Sequence, residues 1–503
     1  MTRQQQLLDL VAAVLAELRG GPAPRVALDD QLERDLGIDS LARVELMLRI
    51  EREYGVRLPD RPLAEARTPR DLLRALAAAS PRLAEELEPA ARGAAPAPIA
   101  GVPEAAATLV EALDWHVARH PERTHITLLE DDAAPQPLAY GELAAEARAV
   151  ACGLAARGLQ PGQAVAIMLP TGRAFFQVFA GVLLAGGVPV PIYPPFRWSQ
   201  IEEHLRRQAR ILANCGAPLL VTLPQAKALA RLLQAQVPEL RHVLAPEDLL
   251  AESGRSPDAT RTASDTALIQ YTSGSTGQPK GVVLTHANLL CNIRAMGAVV
   301  QASSRDVFVS WLPLYHDMGL IGAWLGSLYY GIALVLLPPQ SFLARPARWL
   351  QAIHRYRGTL SAGPNFAYEM LAARVPEDEL RGLDLSSWRL AFNGAEPVRA
   401  ATLEKFARRF APYGFDARAL TPVYGLAECG LGLSFPPPGR GPLVERIDAL
   451  ALAREGRALP VAPGAPHAMS VVGCGRPLPQ HHVRVVDARG REAAERVEGR
   501  IEF

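Results

Sequence analysis

Between residues 109 and 503, short apolar runs alternate with longer amphipathic stretches. Ala164–Leu169, Leu219–Thr222, Ala333–Leu337 and Arg389–Phe392 are the clearest runs. Runs of this length read as strands buried on both faces, whereas Gly141–Ala156 and Ile201–Cys215 carry helical periodicity. That alternation predicts an α/β domain of parallel sheets flanked by helices. After Pro460 the pattern turns strand-rich, with Met469–Gly473, His482–Asp487 and Gly499–Phe503, predicting a β-rich subdomain at the C-terminal end.

Residues 1–84 follow a different rule. Leu7, Leu10, Val11, Val14 and Leu15 recur at helical spacing, predicting one helix over Gln4–Leu18. A second helix is expected from Ser40, with Leu41, Val44, Met47 and Leu48 facing inward, ending before Gly55. Pro69 opens a third, Pro69–Ala79. Such an all-α bundle is small but able to fold alone. The Ala/Pro-rich stretch 85–108 reads as a linker, of which the twenty residues Pro89–Thr108 could reach roughly 60–70 Å when extended. The chain is thus multidomain: an N-terminal bundle, a linker, and a large α/β domain over 109–503.

The densest chemistry lies in Tyr271-Thr-Ser-Gly-Ser-Thr-Gly-Gln-Pro-Lys-Gly281, directly after the apolar run Ala267–Gln270. Its glycines let backbone N–H groups ring an anion, its hydroxyls add donors, and Lys280 adds a mobile positive charge. It reads either as a flexible polar loop or as a nucleotide-phosphate clamp. It is neither a Walker A loop nor a dinucleotide fingerprint. The chain has only three lysines, Lys227, Lys280 and Lys405, which favours the clamp. Asp39-Ser40-Leu41 also has two readings. Asp and Ser favour helix N-termini, or the serine is presented for covalent modification. It is not a capping box, because Arg43 stands three residues after Ser40. His481 and His482 read as structural, since neighbours in a strand point to opposite faces.

Residues 1–80 resemble an acyl carrier or peptidyl carrier domain, a four-helix bundle bearing 4′-phosphopantetheine on the serine of Asp-Ser-Leu. The resemblance makes Ser40 the attachment site. With 12 Arg and 13 Asp/Glu, this segment is less acidic than many carriers. Residues 109–503 resemble the large N-terminal part of the adenylate-forming superfamily. The 271–281 loop, Trp311-Leu-Pro-Leu-Tyr-His-Asp-Met-Gly-Leu320, Asn393-Gly-Ala-Glu-Pro397 and Tyr424-Gly-Leu-Ala-Glu428 match its motifs in order. Pro191-Ile-Tyr-Pro-Pro195, Gly363-Pro-Asn-Phe-Ala-Tyr368 and Ala427 resemble the fatty acyl-AMP ligases within it. That subfamily carries an insertion associated with poor use of free CoA. Pro436–Ala468 lies in that region and reads either as the insertion or as a variable surface loop.

The resemblance implies a division of labour. Thr272, Ser273, Gly274, Ser275, Thr276, Gly277 and Lys280 would hold the β- and γ-phosphates of ATP. Glu428 would offer a carboxylate to Mg²⁺, Tyr424 would stack on adenine, and the Gly394-Ala395-Glu396 backbone would meet its edge. His316 would lie between the nucleotide and acyl sites. Trp311, Phe366 and Tyr329 are expected in the core rather than in an acyl pocket. The implied reaction turns a fatty acid and ATP into acyl-AMP and pyrophosphate, then passes the acyl group to a phosphopantetheine thiol on a carrier in cis or in trans. A phosphopantetheinyl transferase and downstream modules of polyketide, nonribosomal peptide or lipid biosynthesis are the implied further partners. The alternatives are a fatty acyl-CoA ligase and a non-catalytic nucleotide-binding and carrier module. The family's ribose aspartate, hinge and lysine-bearing small domain find no match before Phe503, and Asp487 does not take the ribose role. A piece of a longer protein is therefore expected.

Composition excludes other classes. The formal charge of +1 gives no bulk pull toward nucleic acid. The longest apolar run, Val178–Tyr193, is broken by glycines and prolines, so no membrane span is expected, and Met1-Thr-Arg-Gln-Gln-Gln leads into a polar-flanked amphipathic stretch, so no secretory signal is expected. Five scattered cysteines suit a reducing, cytoplasmic setting.

Overall fold

A computed structural model of the chain describes all residues except 1, 20–21, 23, 39–45, 48, 52, 59–65, 82–96, 131–132, 195–200, 251–259 and 273–278. The N-terminal unit has a core of its own. In the helix Arg3–Arg19, Leu7, Val11, Val14 and Leu15 are buried, and they meet Leu46, Met47, Ile50, Leu72 and Leu76. The expected second helix starts among residues outside those described, and Ser40 lies there too. The third spans Pro69–Ala77, two residues shorter than expected. A capping box fixes its start. Thr68 Oγ1 accepts from the Asp71 N–H at 3.3 Å, and Asp71 Oδ2 accepts from the Thr68 N–H at 3.0 Å. A short antiparallel pair, Val56–Arg57 with Ser80–Pro81, joins the segment before the helix Pro69–Ala77 to the segment after it.

The C-terminal part of the Ala/Pro-rich stretch is strapped to the large domain. The Ile99 N–H donates to Ser304 Oγ at 3.0 Å, and Arg294 Nη2 donates to the carbonyls of Glu104 at 3.1 Å and Ala106 at 2.7 Å.

Two larger sheets organise the large domain, beside smaller antiparallel ones. The seven-stranded one runs, in spatial order, Leu420–Pro422, Leu390–Asn393, Leu360–Gly363, Val307–Ser310, Ala333–Leu336, Thr124–Leu128 and Gln136–Ala139. Every neighbouring pair is parallel except the last. The four-stranded sheet is all parallel: Val188–Pro191, Ala164–Met168, Leu219–Thr222 and His242–Leu244. The expected runs fall within one or two residues of these strands. Helices Tyr140–Ala156 and Arg173–Leu184 pack together where Gly181 meets Val150. A Cβ at Gly181 would sit 2.5 Å from Val150 Cγ1, so only glycine allows this approach.

Two features set up the site. From Val307–Ser310 the chain passes to Ala333–Leu336 on one side, then to Leu360–Gly363 on the other. In open α/β sheets, ligands bind outside the carboxyl ends of strands at such a reversal. Separately, Thr266–Thr272 and Lys280–Thr285 pair as an antiparallel hairpin, with Lys280 opposite Thr272. The glycine-rich loop is the connection of that hairpin.

The C-terminal end is β-rich, as expected. Pro436–Ala468 is more than an irregular loop. It contains Leu443–Asp448, which pairs with Ala468–Gly473, and a helix Ala449–Glu455 capped by Asp448. His481 and His482 precede the strand Arg484–Val486 rather than lying in one, so the alternation of a strand does not set their directions. His481 Nε2 lies 3.1 Å from Asn292 Nδ2. None of the five cysteines is in a disulfide, and among the described residues no helix is long and apolar enough to cross a membrane.

Candidate active site

Three sequence motifs leave the carboxyl ends of parallel strands of the seven-stranded sheet. Trp311–Leu320 follows Val307–Ser310, Asn393–Pro397 ends Leu390–Asn393, and Tyr424–Glu428 follows Leu420–Pro422. Together with the Thr272 end of the hairpin they surround a cavity of about 320 Å³. Thr272, His316, Asp317, Ala395, Tyr424 and Glu428 form its polar end. Ile293, Met296, Val300, Ile332, Leu360 and Phe392 line an apolar bore behind it.

His316 is half-exposed, and its Nδ1 lies 2.7 Å from Asp317 Oδ1. Burial pulls its pKa down, but the hydrogen bond and charge of Asp317 outweigh that, and the net shift is upward. Asp317 also accepts from the Met318 N–H at 2.7 Å, at the start of a π-helical turn, Met318–Leu325. Such turns are frequent at functional sites. Asp317 is the residue that sequence reasoning missed. It stood inside the Tyr-His-Asp-Met-Gly match, beside the histidine it orients.

Ala395 has φ = 67°, the left-handed region that residues with a Cβ rarely occupy. This strain turns the Gly394-Ala395-Glu396 backbone at the cavity rim. Glu396 does not line the cavity. Its Oε1 accepts from the Phe366 N–H at 2.6 Å, pinning the loop to the helix Asn365–Arg374. Gly394 also lies off the lining, against Val423. Tyr424 is 38% exposed at the mouth, open to a flat ligand.

Lys280 is exposed at the start of its strand and lies off the cavity lining. Ser273, Gly274, Ser275, Thr276 and Gly277 lie outside the described residues. Glu428 is exposed, and among the described residues no group of three His, Cys, Asp or Glu side chains is placed to hold a metal ion. A single carboxylate suits Mg²⁺, which keeps waters and is commonly shared with substrate phosphates. Trp311 and Tyr329 are core residues, as expected: Trp311 stacks on Phe342 at 3.9 Å, and Tyr329 Oη accepts from Arg294 Nε at 2.9 Å. Phe366 departs from that expectation, being exposed, yet it too lies off the cavity lining.

The profile of the AMP-binding enzyme family matches residues 113–503. The chain belongs to the AMP-binding enzyme family. The phosphopantetheine attachment site profile matches residues 5–76 of this AMP-binding protein. The medium-chain-fatty-acid–[acyl-carrier-protein] ligase TtuA of Teredinibacter turnerae is 33% identical over 423 residues, 76% of this chain and 65% of the relative. The chain therefore spans under two thirds of that relative's length. A solved structure from a study of fatty acyl-adenylate ligases from E. coli and L. pneumophila has a TM-score of 0.74 at 34% identity, covering 78% of this chain and 71% of the other. A fatty acyl-adenylate ligase from L. pneumophila in complex with acyl adenylate and pyrophosphate has a TM-score of 0.71 at 31% identity, covering 80% and 69%.

Proposed function

We propose that this protein activates a fatty acid as its acyl-adenylate and delivers the acyl group to the carrier unit at its own N-terminus. One observation carries the reading: a single cavity is lined both by polar residues, Thr272, His316, Asp317, Tyr424 and Glu428, and by apolar ones, Ile293, Met296, Val300, Ile332, Leu360 and Phe392. That lining fits a ligand with an ionic head and an aliphatic tail. The names of the relatives, and the attachment-site profile over 5–76, support the same reading.

The chemistry follows from charge. The fatty carboxylate attacks the α-phosphorus of ATP, the bond to the β-phosphate oxygen breaks, and pyrophosphate leaves. Two anions meet, so fixed positive charge and oriented donors must offset their repulsion. Thr272, the hairpin connection 273–277 and Lys280 are assigned to the β- and γ-phosphates. Mg²⁺ held by Glu428 would neutralise further phosphate charge. Tyr424 and the 394–396 backbone are assigned to adenine. His316, steered by Asp317, is assigned to the meeting point of the carboxylate and the α-phosphate, where its raised pKa favours the charged form. A phosphopantetheine arm on Ser40 would supply the thiol that receives the acyl group as AMP departs. The arm requires a phosphopantetheinyl transferase, and downstream synthase modules would consume the loaded carrier. Free thiols suit a cytoplasmic setting.

The test is acyl loading in cis. The pantetheinylated protein, incubated with ATP, Mg²⁺ and a fatty acid, is expected to gain one acyl mass on the peptide containing Ser40. Ser40→Ala should abolish that gain and leave adenylation intact. Loading that persists on residues 1–80 of the variant contradicts the assignment.

A further inference from the structure

Among the described residues, a buried ion pair joins the carrier unit to the large domain. Arg345 Nη2 donates to Glu51 Oε1 at 2.6 Å and to the Leu58 carbonyl at 2.7 Å. The two side chains are 9% and 5% exposed. Glu51 and Leu58 belong to the carrier core region, and Arg345 joins the helices Pro339–Ala344 and Ala347–Tyr356 of the ligase body. The carrier prepares its own half of the contact. Glu51 Oε1 also accepts from the Leu58 N–H at 2.8 Å, so carboxylate and carbonyl converge before the guanidinium arrives. Arginine suits two fixed acceptors in a way that lysine does not.

We propose that the face around Arg345 is a docking site for the chain's own carrier unit, clasped reversibly through the Glu51–Arg345 pair. Three observations support reversibility and self-recognition. The clasp is ionic, so its halves can return to water on release, unlike an apolar core. The chain is fastened to the same body from Ile99 onward, so the carrier meets this face at the high effective concentration of a tethered partner. The docking face also borders the site. Phe342, three residues before Arg345, stacks on Trp311, which opens the segment leading to His316. Docking therefore holds the carrier against the scaffold of the His316 loop.

Losing one partner of a buried, hydrogen-bonded charge pair leaves the other unpaired, which lowers the docked-to-released ratio ~30-fold or more. The experiment is time-resolved fluorescence anisotropy of the full chain, dye-labelled at Gln4→Cys with the exposed Cys291 replaced by serine. Slow tumbling with the whole chain is expected. Arg345→Met and Glu51→Gln should each add a fast component from a released carrier. Arg345→Met leaves the carrier's own Glu51–Leu58 bond intact, so its effect reports docking rather than unfolding of the bundle. Arg357→Met, which removes an exposed pair with Asp384, should change nothing. A dominant fast component in the unmutated chain overturns the proposal. So does slow tumbling that survives Arg345→Met, or release by Arg345→Met but not by Glu51→Gln. The readout needs no ATP, fatty acid or modified Ser40, so it stands or falls apart from the ligase reading.

Discussion

Tyr330→Ala should lengthen the acyl tail that the bore accepts. Tyr330 and Gly297 both line the bore. A Cβ at Gly297 would lie 2.1 Å from the Tyr330 ring, so the ring fills the space that the glycine leaves open. Tyr330 Oη holds the ring there by donating to the Arg294 carbonyl at 3.2 Å. Truncation removes the ring and, with glycine opposite, opens a void continuous with the bore. Each further methylene buried there is worth ~0.8 kcal/mol, or roughly fourfold in affinity. Two extra methylenes should therefore shift relative affinity by about 15-fold toward the longer tail. The variant should also lose ~3–5 kcal/mol of stability without ligand, as large aromatic truncations do. Calorimetric titration with non-hydrolysable acyl-adenylate mimics of increasing tail length measures the shift. Phe366→Ala serves as the control, because that ring lies outside the cavity lining. An unchanged tail optimum in Tyr330→Ala, or a shift to shorter tails, refutes the assignment of the bore.

Two further outcomes follow from titration. Asp317→Asn should drop the His316 pKa below the ordinary histidine value, because burial then acts unopposed. The wild-type pair contributes below the unfolded pKa and is lost as pH rises through the raised folded value. An NMR titration of His316 with an unchanged midpoint contradicts this. Elsewhere, His116 and His125 sandwich the Tyr140 ring at 4.5 and 4.6 Å, and burial pulls their pKa values down to about 4 and about 3. The folded protein stays neutral there while the unfolded chain takes up protons. Their contribution is full above pH ~6.5 and is lost as pH falls, at ~1.4 kcal/mol per pH unit for each histidine. His125→Phe keeps a flat ring against Tyr140 and should shrink the stability difference between pH ~7 and ~5 by ~2 kcal/mol in chemical denaturation. A pH dependence equal to that of the unmutated protein contradicts it.

Much of this architecture is readable from local pattern. Strands such as Ala164–Met168 are buried on both faces, so they stand out as unbroken apolar runs. The motifs at 311–320, 393–397 and 424–428 mark turns at strand ends, where backbone geometry restricts the residue types. What stayed hidden depends on contacts across the chain. Nothing near Arg345 in sequence announces that its carboxylate partner is Glu51, 294 residues away. Phe366 reads as core by composition, yet it lies exposed because Glu396 holds its backbone at the rim. Pro436–Ala468 is poor in buried residues, and its strand is defined only by pairing with Ala468–Gly473. Asp317 was visible, but its importance comes from the 2.7 Å contact with His316 rather than from any pattern.

Fatty-acid-dependent ATP–pyrophosphate exchange tests the proposed fatty-acid activation most directly. The expected result is exchange that requires a fatty acid, rises with tail length until the bore is full, and survives Ser40→Ala. Tight ATP binding with no exchange for any tail length would contradict it and leave only a nucleotide-binding module.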